Sequence, residues 1–308
     1  MSVWSSQRTK TLGTPNIDRL IIRVVPSANV LSGLMNGELD LIGFGSVLTD
    51  DWETAKSQDN LVTESVPTTS YTTLIFNTQK EYLTQEVRQA LNMAINRDVL
   101  VNGLLMGEGT PIMTPIAPVS PYYNDKVQVQ YDPEKAKELL AEAGYADGFD
   151  TSICVNDNQE RTEACQAIQA MLAEVGINCE VEVMEFGSFI DKTSAGDFDM
   201  GFMGWVTSTM DADYTYYSLE HSSQQGAAGN RSFLADPDVD KLVEEGRSNT
   251  DSAAREKIYA DLAVKLKEIN NNAPLYYSSI LVGASNKVEN FVVDPIGYHK
   301  LDQVKVAE

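Results

Sequence analysis

The 308-residue chain has only two histidines, His221 and His299, and three cysteines, Cys154, Cys165 and Cys179. The histidines are far apart, with no metal-ligand spacing around either, so a metallohydrolase or a Ser-His-Asp enzyme lacks its natural base. An odd number of cysteines within one stretch does not resemble a secreted disulfide framework. Buried thiols on a strand, a helix and a strand are expected, with a Cys154 to Cys179 bridge as the lesser alternative. No apolar run approaches bilayer-spanning length. The start, Met1-Ser2-Val3-Trp4-Ser5, shows neither a basic region before an apolar core nor a lipid-attachment cysteine. Basic residues are scarce: 23 Lys and Arg stand against 45 Asp and Glu, a formal charge of -22. That charge repels nucleic acid and anionic headgroups, and nucleic acid is excluded as a partner. The acids are scattered along amphipathic stretches, as on a solvated surface rather than a cation site. No Walker-type phosphate loop and no dinucleotide fingerprint is present.

The length suits two domain-sized cores. Ile17–Val25 reads as a strand, Ala28–Met35 as a helix, and Leu39–Phe44 as another strand after the Asn36-Gly37 turn. Leu61–Pro67 and Tyr71–Asn77 read as two further strands. Leu83–Met106 is a long amphipathic helix capped by Thr84, with a break expected near Asn96-Arg97-Asp98. The proline-rich stretch after Gly107 reads as an extended surface loop. Asp132, Pro133 and Gly144 mark both ends of the next helix. "TSICV", Glu160–Val175 and "NCEVEVME" then give β-α-β, which implies a right-handed crossover and parallel pairing. "FDMGFMGW" is a buried strand ending at Trp205. Helices near Asp236–Arg247 and Asp251–Asn270, a late strand "APLYYSS", and short β-like runs from Ile280 to Glu308 complete the chain.

Several phrases occur in order: "GELDL", "LIFNT", "EVRQALNMAINRDVLV", "YDPEKAKELLAEAGYADGF", "AIQAMLAEVGI", "MGW" and "NAPLYY". Together they resemble the carboxy-terminal portion of the extracellular solute-binding proteins of family 5, the dipeptide, oligopeptide and nickel-binding receptors of ABC importers. The resemblance implies an α/β fold of the periplasmic-binding-protein class II type. It divides the chain into 1–70 as part of lobe I, 71–279 as a complete lobe II, and 280–308 as a return to lobe I. It implies a truncated chain, because family members begin with an export signal, often a lipidated cysteine, and carry a large preceding portion. An unpaired sheet edge in the partial lobe and weak or absent solute binding by this chain alone are expected to follow. The full-length form is expected to be extracytoplasmic, in the periplasm or as a cell-surface lipoprotein. Its expected partners are a small solute or oligopeptide and the importer's membrane permease subunits. No cofactor, metal or catalytic residue is implied.

In doubly wound lobes, ligands sit at the carboxyl ends of the strands. That places "GWVTSTMDADYTYY" at the ligand cleft, with Gly204, Trp205, Ser208, Asp211 and Tyr214 as candidate ligand-binding residues. Trp205 either stacks on a ligand or closes a core. Of Tyr214, Tyr216 and Tyr217, at least one is expected in the core. In the family's peptide receptors, an aspartate after this Gly-Trp pair takes the ligand amine. Aligned from Gly204-Trp205 that place is Ser208, which cannot neutralise a buried cation. This departure weakens the expectation of free-amine peptide binding and leaves blocked peptides, sugars or small neutral solutes open. Asp211 matches a second acidic position and equally suits a helix cap. Arg161 is the local candidate for an anion-binding arginine, or else a surface helix cation. Asn77 is expected as a structural hydrogen-bonder and Arg88 as an ion-pairing helix residue. Two other functions share these residues. A carbohydrate-active hydrolase would draw paired carboxylates from Asp197, Asp199, Asp211 and Asp213. A non-transport signalling or interaction fragment would use the same fold without a permease.

Overall fold

A computed structural model describes residues 2–5, 16–42 and 47–307. Along the chain, β1 (Ser2–Ser5) and β2 (Arg19–Ile22) precede α1 (Val30–Met35) and α2 (Trp52–Lys56). β3 (Leu61–Phe76), α3 (Gln85–Ala94), α4 (Arg97–Leu104), β4 (Gly109–Pro111) and α5 (Pro133–Glu142) follow. Next come β5 (Asp150–Asn156), α6 (Gln159–Glu174), β6 (Asn178–Met184), α7 (Phe186–Ala195), β7 (Met200–Val206) and α8 (Ala212–Glu220). α9 (Pro237–Ser248), α10 (Ser252–Ile269) and β8 (Asn272–Ser285) lead to four two-residue strands: β9 at Val288–Glu289, β10 at Val292–Val293, β11 at His299–Lys300 and β12 at Lys305–Val306.

The chain forms two compact units, one of Met1–Thr68 with Ser278–Glu308 and one of Thr69–Tyr277. In the first, the described short strands pair as two-stranded sheets, β1 with β2, β9 with β12 and β10 with β11. Its core gathers Leu31, Leu34, Ile42, Trp52 and Leu281. The expected strand at Leu39–Phe44 reduces to a single bridge between Leu41 and Ala284; Gly43 and Phe44 lie outside the described residues.

The second unit is built on a six-stranded sheet in the order β4-β8-β3-β7-β5-β6. β5 pairs in parallel with both β6 and β7, while β3 runs antiparallel to β7. The β5-α6-β6 crossover has the expected parallel pairing because α6 buries Ala164, Cys165, Ile168 and Leu172 in the main core. The caps read from sequence are in place: Thr84 accepts from Val87 N, and Asp132 accepts from Lys135 N at 2.9 Å ahead of Pro133. The long helix does break, into α3 and α4, where Asn96 caps the second piece.

Three expectations need correction. Leu61–Pro67 and Tyr71–Asn77 are one 16-residue strand, because Thr68, Thr69 and Ser70 stay extended between them. The Thr68 hydroxyl donates to Ser278 O and that of Thr69 to Thr207 O, which holds the polar residues between the two expected strands in one extended strand. The extended loop after Gly107 contributes β4 to the sheet edge. Arg88 makes no ion pair among the described residues; its guanidinium donates to the carbonyls of Leu83, Ile269 and Asn270. All three cysteines are free and buried, on β5, α6 and β6. Burial pushes the Cys154 and Cys179 thiols up to about 12.

Candidate functional site

The carboxyl end of β7 carries the stretch singled out in the sequence. Tyr71 on β3 pairs with Trp205, and Thr72 with Gly204. Trp205 is half-buried, its inner side packed on a cluster of Tyr71, Ile112, Ala117 and Tyr277. Tyr214, exposed on the first turns of α8, stacks on it with ring centroids 5.2 Å apart and planes 29° apart. The indole thus closes a core and presents an aromatic pair at the surface. Tyr216 is fully buried, as expected for one of the three tyrosines.

Ser208 is exposed in the turn after β7, where its backbone N donates to Val206 O at 2.9 Å. Asp211 caps α8, accepting from Asp213 N at 2.9 Å. It also takes a fork from Arg255, with Nη2 to Oδ1 at 2.6 Å and Nη1 to Oδ2 at 3.0 Å. Partial burial acts to raise the Asp211 pKa, but the hydrogen bonds from Arg255 and Asp213 outweigh it and hold the carboxyl below its ordinary value. A ligand ammonium at Asp211 has to displace Arg255. Of the other aspartates weighed as catalytic carboxylates, Asp199 accepts from Ser152 and faces Lys80, and Asp213 faces Arg247.

Beside Gly204 and Trp205 lies a cavity of about 40 Å³, lined also by Tyr71, Glu220, Arg231, Asn271 and Asn272. That room suits a few waters or one small polar group and is far below the ~300–1,000 Å³ that encloses a whole ligand. Glu220 is buried on the inner face of α8, where its carboxylate accepts from Asn271 Nδ2 at 2.6 Å and Asn272 Nδ2 at 3.2 Å. Burial pushes its pKa up to about 7 despite those bonds. Arg231 donates Nη2 to Ser194 Oγ at 3.4 Å, while its buried Nε, like the buried Nε1 of Trp205, has no hydrogen-bond partner among the described residues. Arg161 donates Nη1 to Asn156 Oδ1 at 2.9 Å. Its Nη2 lies 3.0 Å from where a Cβ on Gly204 would stand, so the side chain lies against β7 and the missing side chain makes room for it. Among the described residues no cluster of His, Cys, Asp or Glu could hold a metal, and no helix is long and apolar enough to cross a membrane.

Sequence reading missed Glu220, Arg231, Asn271 and Asn272. Glu220 had a legible signal: it follows Ala212 and Tyr216 at four-residue steps, so it falls on the apolar face of α8. Arg231 had none, because its position depends on the irregular segment between α8 and α9.

The family described as bacterial extracellular solute-binding proteins, family 5, middle region, matches residues 4–227. Heme-binding protein A of Haemophilus influenzae is 30% identical over 96% of this chain and 55% of its own length. The dipeptide-binding protein of Escherichia coli is 28% identical over 95% of this chain and 56% of its own. The chain therefore spans about half the length of the curated relatives it matches. Among solved structures, the ABC transporter-associated periplasmic binding protein DppA from Helicobacter pylori, in complex with peptide STSA, superimposes with a TM-score of 0.87 at 26% identity, over 99% of this chain and 60% of that one. HbpA2 from Haemophilus parasuis gives 0.85 at 27% identity, over 99% and 61%. The α/β architecture is that of the periplasmic binding proteins, and the chain belongs to the family 5 bacterial extracellular solute-binding proteins.

Proposed function

We propose that this chain is the solute-receiving part of an extracytoplasmic receptor that delivers short peptides to the membrane permease of an ABC importer, and that it binds its solute without altering it. The observation that carries this reading is the Trp205–Tyr214 stack at the carboxyl end of β7, an exposed aromatic surface beside unpaired hydrogen-bond donors. Aromatic faces give a peptide backbone and its side chains a large contact at small entropic cost. Membership of a solute-binding family supports the same function, and Asp199, Asp211 and Asp213 are each engaged by side chains of the chain itself.

The test is a titration of the 308-residue chain with trialanine, followed by the Trp205 indole resonance, which registers millimolar binding. A saturable shift, weakened at least fivefold by Tyr214→Ala and accompanied by intact peptide in the recovered sample, is expected. A shift that Tyr214→Ala leaves unchanged, or cleavage of the peptide, would falsify the reading.

A further inference from the structure

We propose that Glu220 is a proton-responsive positioning residue: loss of its proton unfastens residues 222–234, the irregular segment that carries Arg231 and one wall of the cavity beside Trp205. The inference concerns the chain's own opening and holds whatever solute the chain receives.

A run of buried polar groups ties that segment to the body of the second unit, and Glu220 stands at its end. Asn271 Nδ2, between α10 and β8, donates to Glu220 Oε2 at 2.6 Å and to Ser232 Oγ at 3.1 Å. Ser232 Oγ in turn donates to Asn230 Oδ1 at 2.9 Å. Asn230 Nδ2 donates to the carbonyls of Glu220, His221 and Leu234. None of Glu220, Asn230, Ser232 and Asn271 is more than 3% exposed, so the carboxyl is solvated by these few dipoles rather than by bulk water. The segment itself carries two three-residue helical turns and no strand, and its attachment rests largely on side chains. Thr78 and Ser194 add two more attachments, through Ser232 O and Arg231 Nη2, and neither of them titrates.

Burial raises the Glu220 pKa to about 7, outweighing the Asn271 and Asn272 amides that favour its charged form. The groups around it do not neutralise that charge. Arg231 lines the cavity beside Trp205, and Lys267 of α10 lines a second cavity of about 20 Å³ that Glu220 also borders. Neither makes an ion pair with Glu220 among the described residues. Tyr71 of β3 and Tyr216, one turn earlier on α8, are held neutral by burial. His221, next on the chain, faces Asp240 and Glu244 of α9 instead. An ionised Glu220 therefore gains by meeting water, and Gly229, Arg231 and Ser232 of the segment line the cavity through which water reaches it. Detaching the segment returns the carboxyl towards its ordinary value of 4.5. The opening constant of the segment thus rises with pH between about 4.5 and 7 and is level above that.

The experiment measures amide hydrogen exchange of the whole chain at pH 5, 6, 7 and 8, corrected for the intrinsic base-catalysed rate, with and without 1 M urea. Residues 222–234 are expected to open about tenfold more, or beyond, at pH 7 than at pH 5, and less than about threefold more at pH 8 than at pH 7. Their opening constant should exceed that of β5 at every pH and respond little to urea, whereas β5 shows the full urea dependence of global unfolding. Glu220→Gln, which fixes the neutral form, should hold the segment's opening within about twofold from pH 5 to pH 8. Ser232→Ala keeps the carboxyl and cuts its link to the segment, so it should raise opening at pH 5 towards the parent's value at pH 7. The parent's profile and Ser232→Ala decide the matter even where Glu220→Gln does not fold. A parent profile flat with pH, a slope that Glu220→Gln retains, no effect of Ser232→Ala, or opening of the segment only together with β5 overturns the proposal.

Discussion

Arg255 on α10 grips Asp211 at the start of α8 with two N–H groups, at 2.6 and 3.0 Å, while its guanidinium lies 4.9 Å from the ring centre of Tyr122. One aspartate thereby caps a helix and ties it to another, and its charge is spoken for inside the chain. Asp211→Ala removes cap and fork together and is expected to lower stability by about 2 kcal/mol. Asp211→Ser keeps a side-chain cap and loses only the fork, so it should cost about 1 kcal/mol less. The folded carboxyl has a lowered pKa, so its stabilisation is complete above the ordinary aspartate value and fades as pH falls through the folded one. Urea melts of the three proteins at pH 7 and pH 3 check this; equal costs for the two substitutions would remove the capping role.

Glu220 gives the opposite pH response. Its folded pKa is raised to about 7 from an ordinary value of 4.5. The folded state therefore holds the proton more tightly than the unfolded chain does. Stability from this group is complete below about pH 4.5, declines as pH rises towards 7, and is level above that. A shift of this size corresponds to at most about 3 kcal/mol. Glu220→Gln mimics the neutral form and should flatten that slope, leaving the variant more stable than the parent at pH 8 and nearly equal at pH 4.5. Urea melts across that range decide it, and parallel slopes for the two proteins would show that Glu220 is not the titrating group.

What the sequence revealed and what it concealed divide along physical lines. α5 was legible at both ends because Asp132, Pro133 and Gly144 act locally, through a cap, a fixed φ and a positive φ of 92°. The β5-α6-β6 unit was legible because its periods are set by burial of one face. β3 was misread as two strands because its polar centre is stabilised by partners far away in the chain, Ser278 and Thr207. The same holds at the candidate site. Trp205 and Tyr214 are close in sequence and were found together, whereas Arg231, Asn271 and Asn272 reach the cavity from other segments that carry no periodic signal of their purpose.

Arg88 shows how a long-range role can hide inside a regular helix. It lies on α3, only 8% exposed, and its three nitrogens satisfy the carbonyls of Leu83, Ile269 and Asn270, the last two at the end of α10. Those end carbonyls have no partner within their own helix. Asn270 sits there with a φ of 51°, and its side-chain oxygen accepts from Asn92 at 3.0 Å, so Arg88 and Asn92 together close the α10 terminus before β8 begins. Arg88→Met preserves most of the stem but leaves three buried carbonyls without their donor, and is expected to cost about 3 kcal/mol or more. Arg88→Lys should recover little of that, since one ammonium cannot reach carbonyls arranged around a planar fork. Denaturant melts give the cost, and amide exchange at Asn270 to Asn272 gives its location. If Lys restored full stability, charge rather than the geometry of the fork would be what α3 supplies to the end of α10.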